Sequence, residues 1–208
     1  MNNSELPPKE KWDGRYGAEG YKPDKSPVPF LTEVIEAIPP GRALCLAAGC
    51  GRNAVYLAQQ GFEVTAVDIS PRGLDRCKQL AVDLGVRVDT VEADLLSYDM
   101  AGEAFDLITD FCYYEPEVFG PVKGAVRPGG YFLLQTFSIY HAGRTSGPQS
   151  ERHLARPQVI LAAFRDWRIR LFGDLDVVYP DDDGQGDRTE SLVRLLAQKP
   201  ARSAAATP

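Results

Sequence analysis

Two glycines and three aspartates are spaced between residues 49 and 110 as if to hold one polar ligand. Gly49 and Gly51 lie in the loop Ala47-Ala48-Gly49-Cys50-Gly51-Arg52-Asn53, at the end of the apolar run Ala43 to Ala48. Glycines there let the backbone turn sharply and let a ligand approach with no Cβ in the way. The helix that follows aims its free N–H groups at whatever is bound. Asp68 ends the next apolar run, 17 residues after Gly51, where a carboxylate can accept both hydroxyls of a ribose. A Gly-x-Gly loop with that aspartate in register describes a nucleoside-containing ligand. Read strictly, Gly49 to Ala54 also fits the Gly-x-Gly-x-x-Ala fingerprint of dinucleotide sites, so NAD stays open. Asp94 and Asp110 close two further apolar runs.

Such a loop needs a strand before it and a helix behind it, and the hydrophobic pattern supplies both. Phe30, Leu31, Val34, Ile35 and Ile38 have helical spacing, and Pro39-Pro40-Gly41 stops them. Strands are then predicted at 43–48, 64–67, 86–91, 105–109 and 131–137, with helices at 52–60, around Leu74 to Leu84, after Pro116 and at 159–164. An extended run at 167–179 and an apolar strand at 192–196, joined by one acidic loop, pair antiparallel. The fold class predicted is α/β: a Rossmann-like, doubly wound, mostly parallel sheet with an antiparallel C-terminal strand. Residues 1–25, rich in proline and glycine among Trp12, Tyr16 and Tyr21, read as an irregular arm lying on the domain. Residues 26–199 form the domain, and 200–208 read as a disordered tail.

Composition narrows the function. A chain of 208 residues, 44% hydrophobic and 25% charged, builds one ordinary core. A net charge of −6 opposes nucleic acid, and no apolar stretch is long enough for a membrane span. Four cysteines without a CxxC, beside only two histidines, argue against a metal site and for a reducing, cytoplasmic setting. Asp181, Asp183 and Gly186 imitate a calcium loop, but its twelfth position is Leu192, so the segment reads as solvated hairpin.

Three features favour S-adenosylmethionine over NAD. A helix precedes the first strand, Asp94 in Val91-Glu92-Ala93-Asp94-Leu95 can accept from an adenine amino group, and Pro128-Gly129-Gly130 leads into a long fifth strand. With these residues the chain resembles the class I S-adenosylmethionine-dependent methyltransferases, and within them the tellurite-resistance type of small-molecule methyltransferase. The resemblance runs from Trp12 to Lys199 through Trp-Asp-x-Arg-Tyr at 12–16, Gly-x-Gly-Arg-Asn at 49–53, Val-Thr-Ala-Val-Asp at 64–68, Phe-Asp-Leu-Ile at 105–108 and Arg-Pro-Gly-Gly at 127–130. It implies a seven-stranded sheet. Two departures stand out: Cys45 and Ala47 replace the Asp and first Gly of Asp-x-Gly-x-Gly-x-Gly, and Gln185-Gly186-Asp187 stands where the family tends to have a Tyr-His pair.

The cofactor residues expected are Arg15, Tyr16, Ala47, Ala48, Gly49, Gly51, Asn53, Asp68, Ile69, Ala93, Asp94, Leu95, Asp110 and Phe111. Asp68 would hold the ribose, Ile69, Asp94 and Leu95 the adenine, and Asp110 the methionyl ammonium. Tyr113, Tyr114 and Tyr140 can present aromatic faces to the sulfonium, and His141 is the candidate general base, ahead of His153. Asp-Phe-Cys-Tyr at 110–113 lacks the double proline of base methylases, which points to a small-molecule acceptor: a thiol, a metalloid oxyanion or another soft nucleophile. Partners expected are that acceptor alone, with neither nucleic acid nor membrane, the chain being a monomer or homodimer. A non-catalytic cofactor-binding module is the alternative.

Overall fold

In a computed structural model, residues 6–102, 104–179 and 187–201 are described. A seven-stranded sheet has the order β3-β2-β1-β4-β5-β7-β6, with β1 (Arg42–Leu46), β2 (Glu63–Asp68), β3 (Val88–Glu92), β4 (Phe105–Phe111), β5 (Val126–Phe137), β6 (Arg168–Tyr179) and β7 (Arg188–Gln198). The first five strands pair in parallel, and β7 runs antiparallel to both β5 and β6. β4, at the centre, is buried at all seven positions, as a strand covered on both faces must be.

The winding reverses between β1 and β4, so their carboxyl ends open a crevice. One face is covered by α2 (Pro29–Val34), α3 (Arg52–Gln59) and α4 (Pro71–Asp83), which bury Phe30, Leu31, Val55, Leu57, Cys77 and Leu80 against it. The other is covered by α5 (Phe119–Ala125) and α6 (Pro157–Ala163), with Phe119, Phe132, Phe164 and Trp167 interlocked at ring separations of 5.0 to 6.4 Å. α4 starts where the residue types demand: Ser70 caps it by accepting from the Gly73 amide at 3.1 Å, and Pro71 takes the first turn.

Two details differ from the sequence expectation. Within the arm, Pro8–Gly17 is a helix, α1, begun by a proline in the first turn. It buries no residue of its own, so its apolar pattern carries no signal. The Pro128-Gly129-Gly130 segment is not a turn before β5 but an excursion inside it: Phe105 pairs with Val126 and Leu107 with Tyr131. Gly129 takes the positive φ, 84°, that lets the strand resume. The 202–208 tail and residues 181–186 of the acidic loop lie outside the described residues.

Candidate functional site

Leaving β1, the chain turns in three left-handed steps, with φ of 47° at Ala47, 53° at Gly49 and 85° at Gly51. The Ala48 amide donates to Val67 O at 3.0 Å and the Gly51 amide to Ala48 O at 2.9 Å, which sets the loop on the end of β2. Side chains at the two glycines would collide with neighbours: at Gly49 with the Tyr16 hydroxyl, at Gly51 with Cys77. Asp68 is buried and locks the turn, accepting from the Gly49 amide at 2.7 Å and the Ser70 amide at 2.8 Å. Burial holds its carboxyl above the usual range, and those two amides pull it back. The Ile69 backbone also bonds this carboxylate, which still leaves acceptor capacity for a ribose hydroxyl.

α1 lies across this loop. Tyr16 packs on Gly49 and Gly73, stacks on Trp12 at 5.5 Å, and has its carbonyl bound by Arg76 Nε at 2.7 Å. The Arg15 guanidinium covers the Trp12 ring at 5.4 Å, and Asp13 accepts from the Ser70 hydroxyl. Asn53 does not face the loop as expected. Its side-chain oxygen accepts the Val28 amide at 2.9 Å, and Arg52 pairs with Asp24, so α3 spends both residues on anchoring the segment between α1 and α2.

At the next strand ends, Ile69 and Ala93 are half-buried, Leu95 is buried, and exposed Asp94 accepts the Leu96 amide at 3.0 Å. That set forms a rim beside Asp68, whose carbonyl accepts from the Ala93 amide at 3.0 Å. Asp110 is the outlier. It is 0% exposed and neither carboxylate oxygen has a hydrogen-bond partner among the described residues. Burial pushes its carboxyl well above the usual range, the Tyr113 backbone offsetting only part. A buried carboxylate without partners is expensive unless a cation completes it. Tyr113 is half-buried beside it, its phenol raised by burial and then by the charges of Glu115, Asp110 and Asp94. Phe111 turns the other way, into the core under α2 to α4.

The candidate base does not reach the crevice. His141 is 1% exposed; its Nδ1 accepts the Ser191 amide at 3.2 Å and its Nε2 meets Ser146 O at 2.7 Å. An amide only donates and a carbonyl only accepts, so the ring is fixed as the neutral Nε2–H tautomer with both nitrogens engaged. Tyr140 stands 67% exposed, and Tyr114 is core, packed on Phe119 at 6.4 Å. Exposed His153 lies on a short turn of that loop, and partial desolvation lowers its pKa. Sequence reasoning missed Asp13, Ser70 and Arg76, which fasten the arm to the loop. The Ser70-Pro71 pair was a legible helix start, whereas its bond to Asp13, 57 residues away, was not.

A seven-stranded sheet of this order, with a glycine loop after its first strand and carboxylates at the ends of its second and fourth, has the fold of solved S-adenosylmethionine-dependent methyltransferases. Residues 43–130 match the family described as the methyltransferase domain. Hemagglutinin 1 of Eikenella corrodens is 28% identical over 184 residues, 82% of this chain and 58% of that protein. Probable thiol methyltransferase 2 of Arabidopsis thaliana is 28% identical over 146 residues, 65% of this chain and 63% of that protein. The chain thus spans about three fifths of the length of these two relatives. The crystal structure of TehB from Haemophilus influenzae superposes with a TM-score of 0.70 at 16% identity, over 92% of this chain and 66% of that one.

The residues present fit the cofactor of this class. The Gly49 cradle would be filled by any Cβ, Asp68 retains acceptor capacity toward a ribose, and Asp110 offers a buried carboxylate in need of a cation.

Proposed function

We propose that the chain methylates a small molecule at a soft nucleophile, with sulfur the first acceptor to test. The observation that carries the reading is Asp110: its orphaned carboxylate, one loop away from the Gly49 turn, suits the methionyl ammonium. Bound S-adenosylmethionine supplies an electrophilic methyl group on a sulfonium sulfur. The protein's part is then alignment and exclusion of water. The Gly49 to Gly51 backbone holds the cofactor's amino-acid end, Asp68 its ribose and the Ile69, Asp94 and Leu95 rim its adenine, while Tyr16 and Trp12 roof the loop. Tyr113, beside Asp110, is the aromatic face best placed for the sulfonium. No base is required of His141, and a soft acceptor such as a thiol, which loses its proton near neutral pH, fits that arrangement.

The similarity to a protein named as a probable thiol methyltransferase supports sulfur. Metalloid oxyanions rank next, by the likeness to TehB in fold alone. The test is a calorimetric titration with S-adenosylmethionine, S-adenosylhomocysteine and NAD, followed by an acceptor screen. Binding of the first two without NAD, and turnover of a thiol, is expected. Cofactor binding with no turnover on any thiol, halide or metalloid acceptor would favour a non-catalytic module.

A further inference from the structure

The two edges of the sheet are built differently. β3 closes one with five residues that include Asp89 and Glu92, a short acidic edge of the kind that discourages further pairing. β6 closes the other with twelve residues, without proline or lysine, and among the described residues no strand lies beyond it. Past the irregularity at Arg170, the run from Leu171 to Tyr179 pairs with β7 without a break. Its outer side therefore presents a regular row of unpaired N–H and C=O groups, a template for another strand. Leu171, Leu175 and Val178 stand 38%, 37% and 56% exposed along it.

The charges on β6 are ordered. Arg168 and Arg170 come first, Asp174 and Asp176 after them, so the strand complements itself when a second copy runs antiparallel. Two copies paired edge to edge are related by a two-fold axis normal to the sheet, which fixes the sum of opposed residue numbers. Electrostatics selects among those registers. An axis at Asp174 opposes that aspartate to its own copy, and one at Leu175 opposes Asp174 to Asp176 twice. An axis at Gly173 instead opposes Leu171 to Leu175 twice and brings Arg170 to Asp176, with Asp174 on the diagonal. Arg170 is exposed, its hydrogen bond to Gln198 is long at 3.5 Å, and the Asp176 side chain stays 59% exposed beside Arg144. Leu171, Gly173 and Leu175 pair with Leu196, Arg194 and Leu192 and share one face, so the leucines of both copies meet in a single cluster across the seam. Gly173 would lie at its centre, and a glycine inside a strand marks a place where another backbone approaches.

We propose that β6 is a docking edge for a second copy of this chain, the two strands pairing antiparallel about Gly173 and joining both sheets into one. Pairing satisfies the free backbone groups of the edge, covers Leu171 and Leu175, and sets each basic end against an acidic one. The crevice between β1 and β4 is left open. β4 stands three strands in from β6, roughly 14 Å at the usual strand spacing, so each copy keeps its own cofactor site.

Sedimentation velocity of the full chain at rising micromolar concentration should show a species of twice the chain mass. Leu175→Lys puts a charge into the leucine cluster twice per dimer, and Asp174→Arg sets a like charge beside Arg170 twice. Each should weaken dimerisation at least about tenfold, while an unchanged circular dichroism spectrum and melting midpoint show that the variant is folded. Register is read by cross-linking. Chains carrying Leu171→Cys and chains carrying Leu175→Cys should form a disulfide when mixed and oxidised, because opposed residues lie within bonding reach. Neither variant should do so alone, since each new cysteine then faces a leucine, and peptide mass spectrometry tells this bond from any made by Cys112. A chain that stays monomeric at every concentration would overturn the proposal. So would a dimer that neither charged variant weakens and that leaves the mixed cysteines unlinked, which would put the interface on another surface.

Discussion

Asp110 decides how the site behaves with pH. Its folded-state pKa lies above the unfolded value, so the native state holds the proton more tightly. The stability this gives is complete below the ordinary carboxylate range and is lost as pH rises through the native value. Asp110→Asn should flatten that loss in the ligand-free protein, read from Tm against pH. The same change should weaken S-adenosylmethionine binding about 10- to 100-fold, since it removes a charge-assisted bond of ~1.5–3 kcal/mol. Unchanged affinity would sink the ammonium assignment. Ala47 makes the opposite case: it holds φ of 47° where the resembling family has glycine. A left-handed residue with a Cβ costs ~1–2 kcal/mol, part of which glycine returns as unfolded-chain entropy. Ala47→Gly should therefore stabilise the protein by up to ~1 kcal/mol, about 2–4 °C in Tm.

Among the elements, the loop after β5 is stapled to the β6–β7 hairpin. His141 binds the Ser191 amide, the Ser191 hydroxyl donates to Asp176, and Arg144 pairs with Asp176 at 3.1 Å. His141→Ala opens a cavity and strands the Ser191 amide and Ser146 carbonyl, a loss of about 2–4 kcal/mol. Chemical denaturation should show that loss, with methyl transfer surviving below the new Tm. A variant of unchanged stability whose rate fell a hundredfold would restore His141 as the base.

On the scale of the whole molecule, α1 contributes no buried residue to the core but lies across the Gly49 loop through Tyr16, with Asp13 bonded to Ser70. Removing residues 1–20 should leave cooperative unfolding intact and weaken S-adenosylhomocysteine binding. In the full chain, that ligand at about 100 times its Kd adds ~2.7 kcal/mol, hence roughly 5–10 °C in Tm, and NAD should add nothing. A truncated chain showing the full shift would mean that the roof is not part of the site.

Local pattern was enough for the strands, the glycine loop and the aspartates, because each is a short-range matter: a continuous apolar run, a turn that excludes Cβ atoms, a strand end in register with it. α1 escaped because a helix held only by polar and aromatic contacts to distant residues has no apolar stripe to announce it. Asn53, Phe111, Tyr114 and His141 carried suitable chemistry at suitable spacing, but which way a side chain points is set by what packs around it. Only the tertiary structure turned Asn53 toward Val28 and closed both His141 nitrogens. It alone left both Asp110 carboxylate oxygens without a hydrogen-bond partner among the described residues. The sequence by itself determined the glycine turn and the sheet that carries it, since apolar runs and backbone sterics act locally. The folded chain decided which titratable groups face the crevice, because burial and hydrogen bonding are fixed by residues far apart in sequence.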